Sequence, residues 1–528
     1  MNVKIPNEVL EIVKKLQNNG YQAFLVGGCV RDLIRSEAEG LPIKPKDWDI
    51  TTNAKPEEIQ KLFSDFRSAA GAHPSAGEDK PATVYENTFG TVGVKTESED
   101  PSLKIIEITS FRLEGKYTDK RHPDEIKFAK TVEEDLSRRD FTVNAMALCH
   151  ETWELRNKTE KKENARSIFH GSGFKIIDPY DGQKDLKNKI IRTVGDPETR
   201  FSEDALRLIR AIRFAAELNF KIEEKTAAAV KKEAELLAVI AKERIRDELE
   251  KIIMSERAAE GIRKLKESNL LSWVIPELGE GIGVGQNKHH IYEVFEHNVR
   301  ALDYAAKNNY SLVIRLASLL HDVAKPRTKK GEGPDSTFYN HEIVGAKITN
   351  QILNRLHFPK EIIEKTTHLV RCHLFYYNVG EVTEAGVRRF LRRVGPENIN
   401  DLIKVREADR IGSGVPKAVP YKIRHLLFMV EKVKQDPLSP KMLAVNGKDV
   451  MEIAKIEAGP KVGQVLAILL EEILEKPDKN EKKYLEKRIL ELIKLKDKEL
   501  EKLTGGAKER KEEFESGIEE EMKRRFYV

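Results

Sequence analysis

Two aspartates two residues apart, Asp47 and Asp49 in KDWDITT, lie a short distance downstream of a glycine pair, Gly27-Gly28 in LVGGCVRDLI. Carboxylates at i and i+2 of a strand project from one face. Two negative charges held a few ångströms apart are unfavourable unless a cation sits between them. Mg²⁺ suits such a pair, because it takes few protein oxygens and keeps its other positions for water and substrate phosphates. The Gly-Gly turn ahead of the helix-like VRDLIRS offers bare backbone N–H groups at a helix start, which is what a triphosphate tail needs. Together the two pieces point to metal-assisted nucleotidyl transfer. An isolated Asp-x-Asp is commonly a solvated turn; the strand-like Ile50-Thr51-Thr52 after this one and LVGGCVRD before it favour a site. A third carboxylate would come from a neighbouring strand. Glu107 in IIEITSFR is the candidate, with an edge-strand surface charge as the competing reading.

Three more stretches carry chemistry-bearing types. In EDLSRRDFTVNAMAL (134–148), Arg138 and Arg139 offer forked donors suited to phosphate oxygens, beside Asp140 as a helix cap and Asn144 as a structural hydrogen-bonding residue. Asp204, Arg207, Arg210 and Arg213 recur every three residues on a helix that buries Leu206, Ile209 and Ile212. A spacing of three drifts by about 60° per step, so Asp204 and Arg207 are neighbours while Arg213 has turned away. An Asp/Arg pair can read a base edge, or it can be an intrahelical salt bridge of a few tenths of a kcal/mol; spacing alone weighs these equally. Farther on, His297, His321-Asp322 at the end of the apolar run VIRLASLL, His341, His368, His373 and Asp409 form an ordered set. An adjacent His-Asp at a helix end lets an imidazole and a carboxylate reach one cation, with distant His and Asp completing the ligands.

The elements that must position these groups can be read from pattern. The pieces AFLVGG, WDITT, TVGVK and KIIEITSF are strand-like among short helices, which predicts a small α/β domain with one helix-backed sheet. From about Asp185 onward the periodicity is helical. Polar inserts at 68–83 and 151–167 read as surface loops, and Gly281 to Gly285 and Gly412 to Pro420 as linkers. A charged amphipathic helix closes the pattern, with Leu485, Ile489, Leu492 and Ile493 on its apolar stripe. At 528 residues the chain exceeds one core, and three or four domains are expected. Charged residues make up 34% and mean hydropathy is -0.51, which fits a soluble, helix-rich protein. Lys and Arg exceed Asp and Glu by 92 − 87 = 5, so any nucleic-acid role needs locally clustered charge. Cys29, Cys149 and Cys372 are scattered without a CxxC, which supports neither a disulfide framework nor a zinc knuckle and fits the cytoplasm. No apolar signal core or membrane-length run occurs, so no membrane association is expected.

Six motifs in order, LVGGCVRD, DWDITT, TSFR, RRDFTVNAMA, DPYDGQKDL and RTVGDPETRFSEDALRLIRAIRF, resemble the class II nucleotidyltransferases: bacterial tRNA nucleotidyltransferases (CCA-adding enzymes) and bacterial poly(A) polymerases. The resemblance implies a polymerase-beta-like α/β head followed by an extended all-α region. It implies that Gly27, Gly28 and Arg31 contact the triphosphate and that Asp47 and Asp49 hold two Mg²⁺, with Glu107 as the candidate third catalytic carboxylate. Arg139 would bind phosphate or ribose, Asp204 and Arg207 would read the incoming C or A, and Arg210 and Arg213 would complete the nucleotide site. The turn EGKYTDKRHPDEI (114–126) falls at the family's flexible loop. Ala205, where poly(A) polymerases usually carry proline, favours CCA addition to tRNA from CTP and ATP; poly(A) synthesis and an A-adding or CC-adding specialism are the alternatives.

The histidine set resembles the HD phosphohydrolase domain. By that resemblance His297, His321, Asp322 and Asp409 are the metal-binding core, and His341 and His373 are the extra ligands of two-metal versions, with His368 competing for the last place. A divalent transition metal and phosphohydrolase activity are the corresponding expectations; a metal-dependent hydrolase with a non-catalytic head is the rival from another class. The segment LAVNGKDVMEIAKIEAGPKVGQVLAILLEEILEKPDKN resembles the part of HD-containing family members that grips the tRNA elbow, and VRRFLRRVG (387–395) supplies plausible phosphate contacts. The expected domains are a head at 1–150, a nucleobase- and RNA-binding neck at 151–270, an HD domain at 280–415 and a tRNA-binding helical body and tail at 416–528. tRNA, CTP and ATP are the expected partners, with no protein partner.

Overall fold

The computed structural model describes residues 5–64, 83–86, 90–114, 126–150, 169–170, 174–287, 291–414, 421–433 and 443–495. The inserts at 68–83 and 151–167 and the turn at 114–126 lie outside these residues, apart from Thr83, Glu114 and Ile126.

Two compact units, 1–276 and 277–528, divide the chain. In the first, the apolar Ala23–Val26 is buried along its whole length and pairs antiparallel with Asp49–Thr52 on one side and Ala147–His150 on the other. Asp49–Thr52 runs parallel to Ile105–Ser110, which pairs antiparallel with Thr91–Lys95. All four strand-like pieces are therefore strands of one eight-stranded sheet. Phe24 and Val26 meet Phe111, Val132 and Leu136 in one apolar cluster, and the pleat turns Leu25 to the other face. Helix Asn7–Asn18 buries Val9, Ile12, Val13 and Leu16, the spacing of one helical stripe, and packs with Gly28–Glu39 against the central strand.

The sheet runs past the head boundary expected at residue 150. Ala147–His150 pairs with Phe174–Ile177, which pairs with Phe169–His170 at the edge. The polar stretch at 151–167 hides this return in the sequence, because it separates the two strands like a linker.

After the sheet the first unit is helical. Leu206–Leu218 is buried nearly throughout and packs against Lys242–Met254 and Ala258–Glu267. In the second unit, Val294–Lys307, Leu312–Leu320, Lys360–Cys372 and Ile399–Gly412 pack on one another, with His341–Arg355 against Lys360–Cys372. A separate apolar cluster joins Val465 and Leu469 to Leu485, Ile489 and Leu492, so the expected stripe is a buried face with Ile493 at its margin.

Gly261 sets how closely Ala258–Glu267 approaches its neighbours. A Cβ there would lie 2.4 Å from Ile252 Cγ2 and 3.3 Å from Ala216 Cβ. Ala216 belongs to the helix that carries Arg207, Arg210 and Arg213. Gly261→Ala is therefore expected to destabilise the protein by about 1–3 kcal/mol through overpacking. Denaturant unfolding checks this; an unchanged midpoint would show that these helices have room to spare.

Candidate functional site

The chain leaves Ala23–Val26 through Gly27, at φ 78° and ψ -136°, and enters helix Gly28–Glu39 at once. Glycine alone takes this conformation without strain. A Cβ on Gly27 would also sit 2.9 Å from Arg139 Nη1 and 3.4 Å from Asp49 Oδ2; the space beside Gly28 faces Arg31 Nη2 and Asp47 Oδ1. The glycines thus bring bare backbone at a helix start against two carboxylates and two arginines.

Asp49 opens its strand, but Asp47 lies before it, in a bend. The expected i, i+2 relation along a continuous strand is corrected accordingly. What aligns the two is Trp48, whose buried indole between them anchors the bend. Both aspartates line one cavity of about 480 Å³ with Gly27, Gly28, Arg31 and Lys46. Glu107 stands opposite Asp49 in the parallel register of an interior strand, so it is not on an edge, and its side chain is exposed. Burial first, then the charge of Asp47 and of Glu107, push the Asp49 carboxyl up to about 7 against the pull of Arg139. Three neighbouring carboxylates, one of them raised by burial and by the other two, match an all-oxygen site for a hard divalent cation.

The arginines are held in place by neighbours. Arg31 donates from Nε and Nη2 to Asp32 at 2.8 and 3.0 Å and from Nη1 to Asn144 Oδ1 at 2.8 Å. Asn144 is the structural residue expected. Asp140 does more than cap: Oδ1 accepts the Phe141 N–H, and Oδ2 accepts Arg210 Nε at 2.8 Å and Nη2 at 2.5 Å. Burial alone would raise its carboxyl, but Arg210 outweighs burial and brings it down to about 2.

The row at 204–213 needs one correction. Asp204 is not on the helix with the arginines; it is extended, and its carboxylate accepts the N–H of Leu206, where the helix begins. A short acidic side chain competes for backbone N–H groups and so ends up beside helix starts. Asp204 is gripped by Arg244 at 3.3 and 2.9 Å, while Arg207 donates to Glu203 Oε2 and to the carbonyls of Arg200 and Arg138. The drift of the helix spreads its arginines over two cavities. Arg207 lines a second one, of about 390 Å³, with Asp204, Arg244 and Glu107; Arg213 lines the first; and Arg210 lines both. Asp49, Arg139 and Asp140 also border both. Arg213 is fixed by Glu248 at 3.1 Å. Arg244 and Glu248, four apart on helix Lys242–Met254, were missed in the sequence, where they look like one more solvated Arg/Glu pair.

A second constellation lies in the second unit. His297 comes from helix Val294–Lys307, His321 and Asp322 follow Leu312–Leu320, His341 opens its helix, His373 closes Lys360–Cys372, and Asp409 lies on Ile399–Gly412. All six are buried. One ligand atom from each of His297, His321, Asp322 and Asp409 falls in one group, and from each of Asp322, His341 and His373 in another. Asp322 joins them: Oδ2 faces Nε2 of His297 at 3.0 Å and of His321 at 3.3 Å, and Oδ1 faces Nε2 of His341 at 3.3 Å and of His373 at 3.6 Å. His321, His341 and His373 place Nδ1 2.8, 2.7 and 2.7 Å from the carbonyls of Ser318, Phe338 and Val370. A carbonyl only accepts, so each Nδ1 carries the proton and each Nε2 is turned inward as a ligand would be. Nε2 of His297 and of His321 are only 2.9 Å apart. Burial would raise Asp322, but His321 and Lys325, whose Nζ is 2.6 Å away, hold it well below the usual carboxylate range. Mixed imidazole and carboxylate donors suit a divalent transition metal better than Mg²⁺. His368 points elsewhere, with Nε2 at the Val394 carbonyl.

Comparison with known proteins agrees with this geometry. A Poly A polymerase head domain family matches residues 23–192, an RNA-binding family of polymerase A matches 219–281, and a tRNA nucleotidyltransferase domain 2 family matches 338–489. An A-adding tRNA nucleotidyltransferase of Deinococcus radiodurans is 35% identical over 85% of this chain and 91% of its own length. A CCA-adding enzyme of Limosilactobacillus fermentum is 30% identical over 92% and 96%. The crystal structure of the Bacillus stearothermophilus CCA-adding enzyme in complex with CTP superposes with a TM-score of 0.64 at 27% identity, covering 92% of this chain and 98% of that one.

The buried Asp140–Arg210 pair has a pH signature. Asp140 titrates at about 2 in the fold against an ordinary 3.8, so its contribution is fully present above about pH 4 and lost as pH falls through about 2. That contribution is on the order of 2 kcal/mol. Urea unfolding of the protein and of Asp140→Asn should differ by about this much at pH 6, and the gap should narrow between pH 4 and pH 2. A gap independent of pH would mean that the carboxylate charge is not what stabilises the joint.

Proposed function

Since the chain belongs to the tRNA nucleotidyltransferase family, to which its Deinococcus and Limosilactobacillus relatives belong over nearly their whole length, we propose that it adds C and A nucleotides, from CTP and ATP, to the 3′ ends of tRNA without a template. The observation that carries this reading is the meeting of Gly27-Gly28, the Asp47/Asp49/Glu107 carboxylates and the Asp204–Arg213 segment at two adjoining cavities. The backbone of Gly27 and Gly28, with Arg31, receives the triphosphate, and Arg139 binds phosphate or ribose. Asp204 and Arg207 read the edge of the incoming base, and Arg210 and Arg213 complete its pocket. Asp47, Asp49 and Glu107 hold two Mg²⁺, which when bound neutralise charge on the pyrophosphate and acidify the RNA 3′-hydroxyl. Everything else is positioning: rigid donors placed where charge develops. The tRNA elbow is held by the helical residues after 416. Among the described residues no helix is long and apolar enough to cross a membrane, and the three cysteines are free and buried, as suits the cytoplasm.

The A-adding name of the Deinococcus relative favours one second reading, an A-adding specialist. Sequencing the 3′ ends made from tRNAs lacking CCA, ending in C and ending in CC decides between them. All three should be completed to CCA. Extension of the CC-ended substrate alone would establish the specialist, and long A tracts on an oligo(A) primer with CTP ignored would establish a poly(A) polymerase. Asp49→Ala should abolish addition in every case.

The histidine cluster, in the stretch 280–415 that resembles an HD domain, holds two divalent transition-metal ions in this proposal: one at His297, His321, Asp322 and Asp409, the other at Asp322, His341 and His373. Metal analysis of the dialysed protein should find about two such ions per chain. Asp322→Asn should lose both, and Asp49→Ala should keep them. Full retention by Asp322→Asn would remove the bridging role, and loss of phosphodiesterase activity with the ions would tie hydrolysis to this cluster.

A further inference from the structure

The second unit carries a cavity of about 530 Å³, apart from the histidine cluster and lined in part by the arginine-rich stretch 387–395. Its floor is apolar, since Val387 and Leu426 belong to the buried core. Phe375 and Phe390 meet in its wall with ring centroids 5.0 Å apart and planes tilted by 50°. Beside them Tyr376 is 71% exposed. Its hydroxyl donates to Glu381 and accepts from Asn378, whose Oδ1 in turn accepts from Lys422 Nζ at 2.5 Å. An exposed ring tethered at its polar end keeps its faces presented and loses little freedom on binding.

Charge completes the cavity. Arg389, Arg392 and Arg393, from helix Glu384–Val394, all line it. The acidic residue at the helix start, Glu384, is already taken by Arg388 and Lys432. Arg392 and Arg393 are exposed, and among the described residues neither pairs with a carboxylate. Arg393 stands 5.8 Å from the centroid of Phe390. Aromatic faces beside guanidinium groups without counter-charges are the chemistry of a single-stranded nucleic-acid platform, where bases stack on rings and phosphates meet arginine. An apolar peptide would leave these arginines uncompensated. A double helix keeps its bases stacked inside and offers none to an aromatic ring.

We propose that this cavity docks an unpaired loop nucleotide of the tRNA, its base stacked on Tyr376 and Phe390 and its flanking phosphates on Arg392 and Arg393. The inference rests on tRNA being the substrate and adds a contact remote from the reacting 3′ end. Because stacked helical RNA cannot enter, the site separates whole tRNA from its isolated acceptor duplex.

The test uses the full chain with Tyr376→Ala and with Arg392→Ala/Arg393→Ala, binding whole tRNA or a two-stranded acceptor duplex without loops. Each variant should weaken whole-tRNA binding by about tenfold and leave duplex binding within twofold. The double arginine variant should also lower the slope of log K against log salt by about 1 to 2. Tyr376→Phe, which keeps the ring, should retain most of the affinity, and kcat at saturating tRNA should not change. Whole-tRNA affinity within twofold of the parent, or equal losses on tRNA and duplex, would overturn the proposal. So would a tenfold rise in the KM for CTP or ATP with tRNA binding intact, which would make the cavity a free-nucleotide site. If the unaltered protein extended no tRNA, the parent reading would fail instead, and that control is independent of the variants.

Discussion

The head site depends on one buried ion pair, Asp140 with Arg210. Asp140 follows Arg138 and Arg139 in the turn beside the carboxylate strand, and Arg210 comes from the helix whose arginines are spread over both cavities. Their contact ties the turn after Arg138 and Arg139 to the helix that carries Arg207 and Arg213, and both residues border both cavities. A buried charge pair is seldom a net source of stability, because desolvation offsets much of its attraction. What it secures here is register. If the helix slid by one turn, Arg210 would leave a carboxylate buried without a partner, which costs several kcal/mol.

The same logic extends outward as a chain of paired charges. Glu248 takes Arg213, Arg244 takes Asp204, Glu203 takes Arg207, and Asp32 with Asn144 takes Arg31. Each group that would touch a nucleotide is already oriented by a neighbour that would not. Preorganised donors and acceptors cost no reorganisation when the ligand arrives, which is how a site made of side chains alone can discriminate between bases. The exception is the carboxylate group. Asp49 is raised by burial first and then by Asp47 and Glu107, and Arg139 offsets only part of this.

Much of this was legible in the sequence because local rules carried it. Gly27 announces a backbone that only glycine tolerates, and the structure places it at φ 78°. The four strand-like pieces of the head became strands as short apolar and β-branched runs bounded by turn residues, of which only Ile105–Ser110 alternates in burial. What was hidden depends on residues far apart in the chain. Asp204 was placed on the wrong side of a helix boundary because a period of three continues unbroken across it, and nothing in SEDALR marks where the carboxylate captures the Leu206 N–H. Arg244 and Glu248 resemble ordinary solvated helix charges until packing buries Glu248 against Arg213. The return of the sheet through Phe174–Ile177 was concealed by the polar stretch before it.

The two metal-competent places in the chain differ in a way that bears on how they coexist. The head offers carboxylate oxygens alone, from a strand, the bend before it and the neighbouring strand, beside open cavities. The helical unit offers buried imidazole nitrogens whose protons are pinned by carbonyls, around the single bridging carboxylate of Asp322. Hard, weakly held Mg²⁺ gains little from imidazole, and a transition ion gains much. Donor type therefore sorts the ions without any barrier between the sites. In the proposed assignment, ions at the cluster would be enclosed by buried side chains, whereas ions at the head would sit beside open cavities.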